Sequence, residues 1–198
     1  MEFLNKYNII LASKSPRRRQ LLAEMDIDFN VRTKEVEEDF PDDLQKEQVA
    51  IFLCEKKASA FTNAEVGDND LIITADTIVC LGEKTLNKPG DRDHAITMLQ
   101  DLSGKKHEVI TGVCLRMNSK QHAFYVSTEV YFKSLTNSEI EYYVDHYQPF
   151  DKAGSYGIQE WIGHIGIEKI EGSYFNVMGL PTTRLYRELK TFLPKLDY

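Results

Sequence analysis

The sequence predicts an α/β fold built on a mixed β-sheet flanked by helices, and three observations predict it. Apolar, β-branched runs at Tyr7–Ala12 and Leu71–Leu81 read as buried strands. Segments with helical spacing and good caps alternate with them, the order expected of crossover connections. Two further strand-like runs, His107–Met117 and Ala123–Lys133, flank the polar turn Asn118-Ser119, which adds an antiparallel pair to the sheet.

The elements follow in order along the chain. After the first strand, Ser15 is a good helix N-cap and Pro16 suits the first helical position, so a helix runs from there through Leu21, Leu22 and Met25. Ile27–Arg32 alternates like a short strand. Glu35–Asp43 (EVEEDFPDD) is an acidic loop, the most mobile segment expected. Leu44–Phe61 carries Leu44, Val49, Phe52, Leu53 and Ala60 at helical spacing. Residues 63–70 are turn-like and lead into the long strand Leu71–Leu81. A Gly82-Glu83 turn and a loop ending in Lys88-Pro89-Gly90 follow. Asp91 caps a helix that stops at Ser103-Gly104. Thr136-Asn-Ser-Glu139 is a capping box opening a helix to Tyr147. Residues 151–174 are rich in glycine and aromatics without a clear period. Leu180–Leu193, with Pro181 near its start, reads as a closing helix.

Size and charge bound the function. A chain of 198 residues suits one domain, or one domain with a lobed insertion, and no repeat or linker divides it. The formal net charge of −7 disfavours nucleic-acid polymers and anionic membranes as partners. No run reaches the ~18 apolar residues that cross a bilayer, and the N-terminus lacks the pattern of a secretory signal. The three cysteines, Cys54, Cys80 and Cys114, form no C-x-x-C and read as buried free thiols. A cytoplasmic protein is expected.

The chemistry concentrates in a few places. Arg17 and Arg18 fall in the first turn of a helix, where basic residues oppose the helix dipole. A phosphate bound to the free N–H groups and the guanidiniums would account for them; a plain helix start with solvated arginines is the competing reading. An anion site within an acidic protein suggests a divalent cation bridging carboxylates to phosphate. Asp76 interrupts an apolar strand, an expensive place for a carboxylate unless it is paired, capping a turn, holding a metal or acting as a base. Lys57 and Lys88 are further unusual charges, though taken singly each reads as a solvated lysine, and Glu37 and Glu38 could hold a cation but alone read as hydrated. Gln159 closes the small-residue stretch Asp151-Lys-Ala-Gly-Ser-Tyr-Gly-Ile-Gln159, and its amide can pair with a nucleobase edge or face water. P-loop, dinucleotide-fold, zincin and G-x-S-x-G signatures are absent from the sequence.

Together the segments resemble one family, the Maf-like nucleotide pyrophosphatases. The matching pieces are Leu11-Ala-Ser-Lys-Ser-Pro-Arg-Arg18, Glu37-Glu38, Glu55-Lys-Lys57, Ala75-Asp-Thr-Ile-Val79, Leu86-Asn-Lys-Pro89, Leu102-Ser-Gly104 with His107, Thr111-Gly-Val113, Asp151–Gln159 and Gly172–Pro181. They fall in family order over almost the whole chain. The resemblance implies a mixed, strongly twisted sheet flanked by helices, two lobes around a central cleft, and commonly a homodimer. It implies hydrolysis of nucleoside triphosphates between the α and β phosphates, with a divalent cation, Mg²⁺ or Mn²⁺. By position, Ser13, Arg17 and Arg18 would hold phosphate. Lys57 and Lys88 would neutralise charge on the phosphoryl oxygens. Glu37 and Asp76 would serve the metal and the attacking water, Asp76 being the base. The combination of Arg17, Thr77 and Gln159 looks like the members acting on dTTP and UTP. Glu160-Trp-Ile-Gly-His-Ile-Gly166 departs from the glycine-rich run that many members carry after the glutamine, which bears on base preference. Two alternatives remain beside this expectation: a pyrophosphatase for 7-methyl-GTP or another modified nucleotide, and a nucleotide-binding regulator of septum formation with little catalysis.

Overall fold

The computed structural model describes residues 2–193. Its centre is a seven-stranded sheet in the order β2-β1-β3-β5-β6-β7, with β4 paired to β3 off that path. The strands are β1 (Asn8–Leu11), β2 (Asn30–Val31), β3 (Asp70–Leu81), β4 (Lys84–Leu86), β5 (Lys106–Met117), β6 (Lys120–Phe132) and β7 (Ile167–Glu171). β1 runs parallel to β2 and β3, whereas β4 and β7 join antiparallel to β3 and β6. The sheet is therefore mixed, as expected. The helices are α1 (Pro16–Glu24), α2 (Glu47–Ser59), α3 (Arg92–Leu102), α4 (Asn137–Tyr147), α5 (Trp161–Gly166), α6 (Tyr174–Met178) and α7 (Thr182–Phe192).

The local signals act as the sequence suggests. Ser15 caps α1, accepting from the Arg18 N–H, with Pro16 in the first turn. Asp91 caps α3 by accepting from the His94 N–H at 2.8 Å. Thr136 and Glu139 close a complete capping box on α4. Two features differ from expectation. The loop after Gly82 contains β4, a short strand returning along β3. The stretch 151–178 holds a 3-10 turn at Ala153–Ser155, then α5, β7 and α6. The acidic loop carries no helix or strand, as expected, and three of its carboxylates face lysines, Glu35 with Lys14, Asp39 with Lys56 and Glu38 with Lys57.

The chain forms two compact units. The first comprises the chain through Asp76, Thr111–Val126 and the segment from Gly179; the second comprises Thr77–Ile110 and Ser127–Met178. In the first unit, α2 lies hard against β5: a Cβ at Gly112 would stand 2.3 Å from the Ala50 carbonyl oxygen, so only glycine fits. Arg116 closes the far end of α2, donating to the carbonyls of Ala58 at 2.7 Å and Phe61 at 2.6 Å. In the second unit, α5 packs onto the preceding loop so closely that a Cβ at Gly163 would lie 1.8 Å from the Ile158 carbonyl oxygen. All three cysteines are free and buried, as the sequence suggests. Burial pushes the Cys114 thiol up to about 12, which keeps it protonated. Among the described residues no helix is long and apolar enough to cross a membrane.

Candidate active site

The first unit gathers most of the expected phosphate-handling residues. Side chains two apart on a strand share a face, and residues three apart on a helix share one too. Thr74 and Asp76 thus point the same way from β3, and Cys54 and Lys57 from α2. The Thr74 hydroxyl donates to the Cys54 carbonyl at 2.6 Å and registers helix on strand. Two residues further along β3, Lys57 Nζ donates to Asp76 Oδ1 at 2.5 Å and to Glu38 Oε1 at 2.8 Å. The Asp76 side chain is 10% exposed and that of Lys57 18%, so this is a nearly desolvated pair, whereas Glu38 at 42% stays in water. The pair answers why an aspartate sits in an apolar strand: its charge is compensated within the fold.

Glu37, the expected metal-holding residue of the acidic loop, is exposed, and its neighbour Glu38 is the carboxylate that meets Lys57. Among the described residues no three His, Cys, Asp or Glu side chains stand together as a ready metal cage. The donors available are carboxylate oxygens, hard ligands that suit Mg²⁺ or Mn²⁺ and leave the remaining positions to water and phosphate. In this structure the Lys57 ammonium lies between Asp76 and Glu38, so these two carboxylates already share a positive charge.

Ser13, Arg17 and Arg18 fall where β1 gives way to α1. Arg18 has a firm structural task. Its Nη1 donates to the Ala75 carbonyl at 2.8 Å and its Nε to the Gly179 carbonyl at 2.8 Å. Ser13 Oγ, 7% exposed as a residue, accepts from the Ser15 N–H at 3.2 Å and stands 3.4 Å from Arg18 Nη1. Burial pulls the Arg18 guanidinium down from its ordinary value, and Asp76 pulls it back up. The guanidinium remains a cation that fixes the Ala75 peptide beside Asp76.

Thr77, Lys88 and Gln159 belong to the second unit. Thr77 is half-buried on β3 and Lys88 is exposed in the loop after β4. Gln159 ends a tightly packed loop. Its Oε1 is shut off from solvent and has no hydrogen-bond partner among the described residues. A buried amide oxygen without a donor costs about 1–3 kcal/mol. The loop itself is held from several sides. Gly154, at φ 67°, packs on Val79, where a Cβ would come within 3.0 Å. The Tyr156 hydroxyl meets His107 Nε2 at 2.8 Å, and both rings pack edge-on with Phe132. Burial lowers His107 to about 4, so the imidazole is neutral. The sequence carries His107 and Lys152 only within pieces of the family resemblance and Tyr143 only within the helix after the capping box, and nothing local says that they shape the loop before Gln159.

The family model described as Maf-like protein matches residues 8–192. A protein named dTTP/UTP pyrophosphatase from Bacteroides fragilis is 54% identical over 94% of this chain and 97% of its own length. One of the same name from Phocaeicola vulgatus is 53% identical over 96% of this chain and 98% of its own. A third from Christiangramia forsetii is 50% identical over 97% of each. Among solved structures, the Staphylococcus aureus Ham1 protein gives a TM-score of 0.47 at 16% identity, covering 91% of this chain and 99% of that one.

Proposed function

The chain belongs to the Maf-like protein family, and from that premise we propose that it hydrolyses dTTP and UTP to the monophosphate and pyrophosphate. The observation that carries the reaction class is the desolvated Lys57–Asp76 pair, a base and a cation in one place, on the unit that also holds Ser13, Arg17 and Arg18. The names of relatives at about half identity support the pyrimidine substrates. So does the type of side chain at Gln159, whose amide offers both a donor and an acceptor to the O4 and N3–H edge of uracil or thymine.

In this reading water attacks the α phosphorus and the bond from that phosphorus to the bridging oxygen breaks, with pyrophosphate leaving. Asp76 takes the proton of the attacking water. Lys57 cannot hold Asp76 and a phosphoryl oxygen equally well. Arriving phosphate competes for its ammonium, which frees Asp76 Oδ1 as base and places positive charge where negative charge develops. Ser13 and Arg17 bind phosphate oxygens beside the Arg18-braced turn, Lys88 adds a second ammonium, and Thr77 contacts substrate. A divalent cation held by Asp76 and Glu37, with Glu38 at hand, would supply Lewis acidity and lower the pKa of bound water. The protein would work in the cytoplasm, as a homodimer, on free nucleotides rather than nucleic acid.

Pyrophosphate release from dTTP, UTP, CTP, GTP and 7-methyl-GTP, with Mg²⁺ or Mn²⁺ and then with excess chelator, tests the proposal. The expected result is selective release from dTTP and UTP, stopped by chelation and restored by metal. Release from 7-methyl-GTP alone would keep the chemistry and overturn the base assignment. No release would move the chain to the nucleotide-binding reading.

A further inference from the structure

Glu160 stands directly after Gln159 and at the N-terminus of the short helix α5, where the helix dipole favours an acidic side chain. Its carboxylate does not cap that helix. It turns back into the second unit instead. One oxygen accepts from the hydroxyl of Tyr143, a residue fully buried on α4. The other lies 3.2 Å from Lys152 Nζ. Lys152 is itself buried, its side chain 9% exposed, and also pairs with Asp151 at 2.7 Å. The Tyr143 hydroxyl in turn accepts the Gly157 N–H at 3.0 Å. The carboxylate approaches Gly157 so closely that a Cβ there would fall 2.8 Å from Glu160 Cδ.

Resting on the proposed activity, we propose that Glu160, Tyr143 and Lys152 form a clasp that positions Gln159 and thereby sets selectivity for the nucleobase. Lys152 starts the loop and Glu160 ends it, so their ion pair closes the loop on itself. Tyr143 pins its middle through Gly157. The residue next to Gln159 is thus fixed by a buried ammonium and a buried phenol, and the amide cannot drift with a mobile loop. Positioning to a fraction of an ångström is what a hydrogen-bonded base edge requires. Glu160 touches no reacting atom in this scheme; it is a positioning residue.

Glu160→Gln keeps the volume and an acceptor for Tyr143 but loses the charge that holds Lys152. Tyr143→Phe removes only the hydroxyl. Both variants and their double are to be assayed for KM and kcat on UTP, dTTP and CTP, with thermal unfolding and amide exchange at Gly157 alongside. Arg92→Ala, which breaks a surface pair with Asp145 in the same unit, serves as a control. The expected result is a KM for UTP and dTTP raised roughly tenfold, kcat held within about threefold and a reduced preference over CTP. Gly157 exchange should be faster in Tyr143→Phe, and the double variant should be no worse than the more damaged single one, as for members of one network. Unchanged KM and base preference in folded single variants, or full additivity in the double, would overturn the clasp while leaving the activity standing. A wild-type protein that releases no pyrophosphate from UTP or dTTP would overturn the activity, and the selectivity claim with it. A fall in kcat equal across all bases would assign the three residues to stability or chemistry instead.

Discussion

Lys57 and Asp76 meet because α2 and β3 are pressed together, registered by Thr74 and backed by glycine at position 112. Residues 154–160 keep their shape through glycine contacts, an imidazole–phenol hydrogen bond and one closed ion pair. The first region is a set of charges on regular elements; the second is an irregular loop made rigid by close backbone approach. The difference matches the tasks assigned to them. Phosphate carries the same charge in every nucleotide and can be met by ammonium and guanidinium groups with some play, because Coulomb attraction falls off slowly. A base edge is neutral and is told apart only by hydrogen bonds, which weaken steeply with misalignment.

The comparison breaks most visibly at the loop's tightest contact. Gly163→Ala puts a methyl group where the Ile158 carbonyl already stands, so α5 must part from the loop. A loss of about 3 kcal/mol or more is expected from such overpacking, measured by urea unfolding, together with loss of base preference. An unperturbed variant would mean that the loop is not held by backbone contact at all. Next in size, Asp76→Asn removes the charge but keeps the shape. Lys57 retains Glu38, so the fold survives, and turnover should fall by more than about a hundredfold, typical of losing a general base. Near-normal turnover in the folded variant would remove Asp76 from the mechanism.

How far each region was legible in the sequence follows from the same contrast. Ser15-Pro16, Asp91 and the Thr136 capping box act within a turn of their own position, so residue order alone reveals them. Asp76 announces itself as a charge among apolar neighbours. Lys57 stands out as an unusual charge, but residue order alone favours a solvated lysine, and only the family resemblance implies a role for it. Strand β4 is three residues long and not apolar throughout, too brief for a period to register. The elements between 151 and 178 escaped notice because contacts between distant residues shape them. Nothing local says that Glu160 will face Tyr143 and Lys152, or that the acidic-loop carboxylate beside Lys57 will be Glu38 rather than Glu37.

The smallest effect sharpens the comparison from an unexpected side: the region poorer in charge should be the more sensitive to mild acid. His107 is 1% exposed, and burial lowers it from 6.5 to about 4. The unfolded chain takes up this proton as pH falls through 6.5, whereas the folded chain resists until about 4. Stability from this group is therefore complete above 6.5 and is lost progressively as pH falls toward 4. Between pH 7 and pH 5 the loss attributable to His107 is about 2 kcal/mol. His107→Gln keeps a polar partner within reach of the Tyr156 hydroxyl but cannot titrate. Urea unfolding of both proteins at pH 7 and pH 5 should show wild type losing that much more than the variant. Because the readout is a difference of differences, a variant less stable at both pH values does not obscure it. Parallel losses in the two proteins would mean that acid acts elsewhere, and that the His107–Tyr156 contact is indifferent to the charge of its imidazole.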